Sequence, residues 1–351
     1  MSGHVVASGV PTRERVIAAG APAVSGRIRQ VSMALAVMGM ALFAYGAATG
    51  NDRAWHAFQF NWLFFTIVSS AAVMFVAVQR ITTARWSRGI ARFLEGYVAF
   101  LPFAWLGLVL MVFVGKGHVY PWWNSLAGLG HEKQLYLGHT FFALRNVGVF
   151  TLLAGLQLWY IWTSVRLDVG VSPEGGAPWA AGLRAKMRAA FGEERRELHS
   201  THSLQGRLAV FMAILFGFGW CVLAWDQSMS LDPHFFSTMY GWQVFMGGWL
   251  VALMSLAALL RFWRARLGAE DLVTEAHYHD VGKLSFGFTA FWGYITFAQF
   301  LVIWYGNVSE ETHFFTQRLT NAWTNWTVAV VVLTFVLPFF GLLSVKAKTF
   351  S

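Results

Sequence analysis

The hydrophobic pattern is clearest between His279 and Thr312, HDVGKLSFGFTAFWGYITFAQFLVIWYGNVSEET. It opens on polar and small residues, then runs apolar and aromatic from Leu284 to Tyr305 without a charge. That is about the 20 residues needed to cross a bilayer core. Within the run, Thr289, Trp292, Thr296 and Gln299 recur at three- and four-residue steps, which places a polar stripe on one helical face. Hydrocarbon penalises unpaired polar groups, so this stripe is expected to face protein or enclosed water. The run closes on Asn307, Glu310 and Glu311. Seven further stretches are comparably apolar, so the expected spans are 31–49, 60–78, 96–115, 138–162, 207–225, 241–260, 284–305 and 322–345. The predicted fold is an all-α polytopic membrane protein of about eight transmembrane helices.

Composition agrees with this pattern. Hydrophobic residues make up 56% and charged residues 12% of the 351, far from the balance of a soluble chain of this length. The net charge of +9 raises the question of nucleic acid, but the distribution of the charges answers it. With the N-terminus inside, only Arg53, Lys116, Lys133 and Arg318 of the 26 Lys and Arg fall on the outer side, and Arg145 falls within a span. The basic balance then follows the positive-inside rule, with both ends cytoplasmic and no nucleic-acid partner. The chain divides into a tail over 1–30, four spans over 31–163, a cytoplasmic loop over 164–206, four spans over 207–345 and a short cytoplasmic end over 346–351. No apolar core precedes residue 31, so no cleavable signal peptide is expected, and the tail is mobile or lies on a partner.

The connecting segments carry further expectations. In 79–96, QRITTARWSRGIARFLEG, Glu95 reads as an interfacial charge paired with Arg92 or as a proton carrier. In 116–139, KGHVYPWWNSLAGLGHEKQLYLGH, the rings of Tyr120, Trp122 and Trp123 suit a belt at headgroup level. The long loop has a flexible break at 172–179, SPEGGAPW. Beyond it, Leu183, Met187 and Phe191 share a face ringed by arginine and lysine, as in a helix lying on an anionic leaflet, with a docked soluble partner as the alternative. Asp232 followed by Pro233 reads as an N-cap with proline at the first helical position of a short outer helix.

The candidate chemistry is sparse. Arg145, in FFALRNVGVF, is the one charge deep in an apolar run. It is a functional candidate, a structural cross-helix ion pair or a snorkelling side chain. Asp226 stands where the fifth span leaves the membrane, either as a proton acceptor or relay or as a hydrogen-bonded helix end. His139 lies near the outer edge of the fourth span. His277 and His279 are weak evidence for metal, and the single cysteine, Cys221, excludes an internal disulfide and an iron–sulfur cluster held by this chain alone. The remaining histidines fall in loops rather than deep in spans, as membrane b-type haems would require. Walker, HExxH and nucleophile-elbow motifs do not occur. No redox centre or metal site of its own is expected.

Four segments carry a resemblance. The stretch 279–312 resembles, almost end to end, the F subunit of bacterial alternative complex III, within the NrfD-like or polysulfide-reductase membrane-subunit superfamily. The segment 225–248, WDQSMSLDPHFFSTMYGWQVFMGG, is similar to the stretch after that family's fifth membrane-domain helix, and FFALRNVGVF and 79–96 are similar to earlier landmarks. The resemblance spans roughly residues 58–344. It implies NrfD-like helix bundles in the bacterial cytoplasmic membrane. The implied partners are lipids, a sister membrane subunit, an iron–sulfur subunit and c-type haem subunits, in an assembly that oxidises menaquinol or another quinol and reduces a periplasmic cytochrome c or similar carrier. The sister subunit is the stronger candidate for the productive quinol site. For this chain the leading expectation is a subunit without cofactors, with a proton path or quinone-proximal site drawn from Asp226, Arg145, His139, Thr296, Gln299 and Tyr305. A purely structural scaffold and a free-standing secondary transporter are the alternatives. Two departures from the family stand out. Ten spans are usual where eight are counted here, the chain stopping just after the eighth. The family also reads Ser-Gln-Tyr at Ala298-Gln299-Phe300 and Pro-Glu-Glu at Ser309-Glu310-Glu311, and the first change removes two hydroxyls from the inner face.

Overall fold

In the computed structural model of the chain, residues 14–15, 25–172, 178–189, 191–320 and 322–349 are described, and every regular element among them is helical. Eight of these helices are long and apolar enough to cross a membrane, which makes this a multi-pass membrane protein. They are α1 (Gly26–Ala48), α2 (Asp52–Ile81), α3 (Ala91–Phe113), α4 (His139–Val171), α5 (Glu194–Gln227), α6 (Thr238–Arg266), α7 (Glu275–Gly306) and α8 (Thr324–Gly341). Each coincides with one predicted span. Several run past the hydropathic window, because the backbone keeps its i→i−4 hydrogen bonds after the side chains turn polar. Thus α7 starts at Glu275, where Thr274 and His277 form a reciprocal cap and the Thr274 N–H donates to His277 Nδ1 at 3.2 Å. It ends at Asn307, whose φ of 47° is the left-handed conformation that closes helices. Capping is therefore the visible role of His277, and no group of three His, Cys, Asp or Glu among the described residues could hold a metal.

Helix α2 is the centre of the fold. It packs against α1, α3, α4, α5 and α6, and 72% of its apolar window is buried, against 6% for α1 and none for α8. The cause lies in its middle, where Ser69, Ser70, Ala71 and Ala72 are all buried and keep the backbone narrow enough for neighbours on several sides. The approach is closest where neighbours also lack a side chain. A Cβ at Gly248 of α6 would meet Ile67 of α2 at 2.6 Å, and one at Gly241 would meet the Cys221 backbone of α5 at 2.8 Å. Helices α2, α3, α4 and α5 thus form one tightly packed group, α6 and α7 pack alongside it, and α8 lies against α7.

Three expectations are corrected. Tyr120 and Trp122 are buried at 1% exposure and pack edge-to-face on Phe142, so they seal the end of the bundle instead of forming a headgroup belt. Asp232–Pro233 starts no helix. A single 3-10 turn, Met229–Leu231, precedes it, Lys133 donates to the Pro233 carbonyl, and α6 begins only at Thr238. The amphipathic helix exists as Ala181–Ala189, but Met187 is buried and the Phe191 ring lies against Gly170 of α4. Its Arg188 donates to the carbonyls of Val169 and Ser172, so the apolar face docks on the protein while Leu183 and Trp179 stay exposed. Most of 1–30, residues 173–177 of the expected break and residues 350–351 lie outside the described residues. From the tail, Arg15 donates to Asp271 Oδ1 at 2.6 Å and to Oδ2 at 3.0 Å, so this part rests on the chain's own 268–271 loop.

Candidate functional site: a buried arginine–aspartate pair

Two adjacent dipeptides face each other where α4 and α5 cross near one end of the bundle: Arg145-Asn146 and Asp226-Gln227. Both are isolated polar steps in apolar helices, so they can be buried only if they satisfy one another. Arg145 Nε donates to Asp226 Oδ2 and Nη2 to Oδ1, each at 2.8 Å, the bidentate geometry of a strong charge-assisted pair. Asp226 is wholly buried and the Arg145 side chain is 10% exposed.

The remaining valences are filled as well. Arg145 Nη1 donates to the Tyr136 carbonyl at 3.0 Å, and the Tyr136 and Phe141 rings cover the guanidinium carbon at 3.9 and 4.5 Å. Asn146 Nδ2 donates to Asp226 Oδ2 at 2.7 Å. Its Oδ1 accepts from Gln227 Nε2 at 2.8 Å, and Gln227 Oε1 accepts from the Tyr120 hydroxyl at 2.8 Å. Gln59 of α2 donates to the Gln227 carbonyl. Ser230 Oγ donates to the Asp226 carbonyl at 2.5 Å and accepts from Trp122 Nε1 at 3.3 Å. One network therefore ties α2, α4, α5 and the 120–136 loop together. Burial, with the Asp226 charge adding to it, holds the Tyr120 and Tyr136 phenols protonated well above the usual tyrosine range.

Of the residues singled out in the sequence, Arg145 and Asp226 form the pair itself. His139 lies in the aromatic seal above it, its ring parallel to that of Trp123 at 4.0 Å and its Nε2 3.0 Å from the Trp123 carbonyl. Thr296 and Gln299 belong to a second cluster, between α6 and α7. There Ser237 Oγ donates to Gln299 Oε1 at 3.1 Å, Gln299 Nε2 to Gln243 Oε1 at 2.8 Å, and Gln243 Nε2 to Thr296 Oγ1 at 3.1 Å. The polar stripe of α7 does face inward, since Thr289, Trp292 and Gln299 are buried. Tyr305 joins neither cluster, with 80% of its surface exposed.

At the other end of the same bundle is a second carboxylate, Glu95. It pairs with Arg92, accepts from Ser164 Oγ at 2.8 Å, and shares Arg92 with Asp168, 2.8 Å from Nη2. Between the two ends, Trp220 Nε1 donates to Ser70 Oγ and Gln157 Nε2 to the Ser70 carbonyl, both at 2.9 Å. Thr66 Oγ1 and Gln157 Oε1 are buried there with no hydrogen-bond partner among the described residues. Asn146, Gln227, Gln59 and Tyr136 escaped the reading of the sequence, and Tyr120 was read only as part of a headgroup belt. For Asn146 and Gln227 there was a usable signal, a polar residue immediately next to a charge in an apolar run. In comparisons with known proteins, no family model matches the chain and no curated protein matches it.

Proposed function

We propose that this chain is a membrane subunit, with no redox centre of its own, of a quinol:electron-acceptor oxidoreductase of the alternative complex III kind. Its place is the bacterial cytoplasmic membrane with both ends cytoplasmic, beside a sister membrane subunit, an iron–sulfur subunit and c-type haem subunits. Quinol oxidation belongs to the assembly, and this chain contributes a proton path. One observation carries the reading: two of the segments on which the resemblance rests, 141–150 and 225–248, meet in space at the Arg145–Asp226 pair. A buried charged pair is rare in membrane helices, because its cost must be offset by exact pairing or by use. Buried carboxylates at both ends of one bundle, with the hydroxyl of Thr66 and the amide oxygen of Gln157 between them unpartnered among the described residues, suit a route along which bound water relays protons. The complete pairing of Arg145 supports a second reading, a static clamp in a structural scaffold.

Gentle detergent purification through a tag on this chain, with a visible spectrum and subunit masses, tests the assembly. The expected result is co-purified c-type haem and an iron–sulfur subunit. A colourless, solitary chain would overturn the reading and favour a secondary transporter.

A further inference from the structure

The lipid-facing surface between α4 and α5 is not evenly filled. A groove of about 370 Å³ opens there, lined by Leu156 and Trp159 of α4 and by Leu204, Arg207, Leu208 and Phe211 of α5. Five of these six are apolar, and Trp159 and Phe211 are 50% and 66% exposed, so the walls offer hydrocarbon to hydrocarbon. Arg207 is the exception. It is exposed at one end of the groove, and no carboxylate among the described residues lies within ion-pair distance of it. Roughly 28 Å of helix separates it from Asp226, which puts the two at opposite edges of a bilayer core. The arginine-rich end of α5 continues beyond it through Arg195 and Arg196, and Ser203, one turn away, exposes a hydroxyl on the same side. The nearest acid along α5 is out of reach, since Glu197 stands roughly 15 Å along the axis and is bound to Arg166 at 2.7 Å.

We propose that this groove is a binding site for an anionic phospholipid of the arginine-rich leaflet, with an acyl chain along Trp159, Leu208 and Phe211 and the headgroup phosphate on Arg207. A guanidinium without an acidic partner at the headgroup level attracts a phosphate diester, and its planar fork donates to two of the phosphate oxygens. The apolar trough below it explains why a lipid, and not a free anion, is the occupant. An indole at the same level suits the boundary between chain and headgroup. The inference requires only that the chain lies in a bilayer, so it stands or falls separately from the respiratory assignment.

The test uses the full chain, or its assembly, delipidated in a neutral maltoside detergent and titrated with phosphatidylglycerol or phosphatidylcholine. Retained lipid is counted by native mass spectrometry, and the thermal midpoint is followed in parallel. Phosphatidylglycerol is expected to be retained and to raise the midpoint, with phosphatidylcholine weaker. Arg207→Gln is expected to lower the phosphatidylglycerol affinity about fivefold, one basic side chain's share of attraction to an anionic surface, and to leave phosphatidylcholine unchanged. Arg195→Gln removes the same charge away from the groove and is expected to keep the preference. Phe211→Ala is expected to weaken both lipids. An undiminished preference in Arg207→Gln would overturn the proposal. So would displacement of phosphatidylglycerol by millimolar inorganic phosphate, which would make the site one for a free anion.

Discussion

The two buried carboxylates of the central bundle are held by the same kind of partner in opposite ways. Asp226 is wholly buried, and its arginine is 10% exposed, covered by two rings and committed to this one acid. Glu95 is nearly as buried, but Arg92 is 42% exposed and divides itself between Glu95 and Asp168. Only the acids are alike. Water reaches the Glu95 end beside its partly exposed arginine, whereas at the Asp226 end the Tyr136, Phe141 and Asn146 side chains enclose the pair. Difference in access, more than difference in burial of the acid, separates a site that equilibrates freely from one that can be gated.

Truncating the two arginines is the strongest attack on that contrast. Arg145→Ala leaves a carboxylate in a closed, water-poor site, and removal of one partner of a buried pair typically costs about 3–5 kcal/mol. Arg92→Ala leaves Glu95 with its Ser164 hydrogen bond and a position at the bundle end, so about 1–3 kcal/mol is expected. Unfolding midpoints in detergent, with helix content as the readout, check the order. Equal losses would mean that water reaches Asp226 as easily as Glu95, and the contrast would fail.

The same physics decides how much of the molecule was legible in its sequence. Hydropathy finds a span because roughly 20 apolar residues in a row have few other uses, and all eight long helices fall where it places them. Arg145 and Asp226 were legible singly, since a charge in an apolar run is expensive. Their pairing was not, because 81 residues separate them and nothing local encodes which helices adjoin. Tyr120 and Trp122 were misread because an aromatic residue at a span's end has the same composition whether its ring meets lipid or protein. Tyr305 was placed in the same candidate path as Thr296 and Gln299. Its ring points off the face that the other two share, and 80% of it is exposed.

Function can be separated from stability with near-isosteric changes. Asp226→Asn keeps the shape and the Asn146 neighbour but can no longer hold a proton in exchange. In the intact assembly it is expected to lower proton uptake and quinol turnover by about a hundredfold, the low end of the range that a positioned acid–base group contributes. Glu95→Gln, with alternative carriers such as Asp168 close by, is expected to lower them by about threefold or less, well below that range. Both rates measured in reconstituted vesicles decide the matter. Unchanged uptake and turnover in Asp226→Asn would leave the pair as a clamp and favour the scaffold.

The smallest effect comes from a pair at the exposed extreme, which supplies the reference for the other two. Arg15 and Asp271 join the tail to the 268–271 loop, and the Arg15 hydrogen bond holds the Asp271 carboxyl below the usual aspartate range. Because the folded value is depressed, the clasp is fully present above the ordinary aspartate value of about 3.9 and is lost as pH falls through the lowered one. Amide exchange at 268–273, corrected for the intrinsic rate, is therefore expected to be slower at neutral pH than near pH 3. Salt should shrink the difference, since both partners sit in water. Asp271→Asn should exchange at one rate across the range, faster than the parent at neutral pH. If the parent shows no pH dependence, the clasp does not hold the loop, and attraction between an exposed arginine and aspartate here is too weak to order the chain without the burial that Asp226 enjoys.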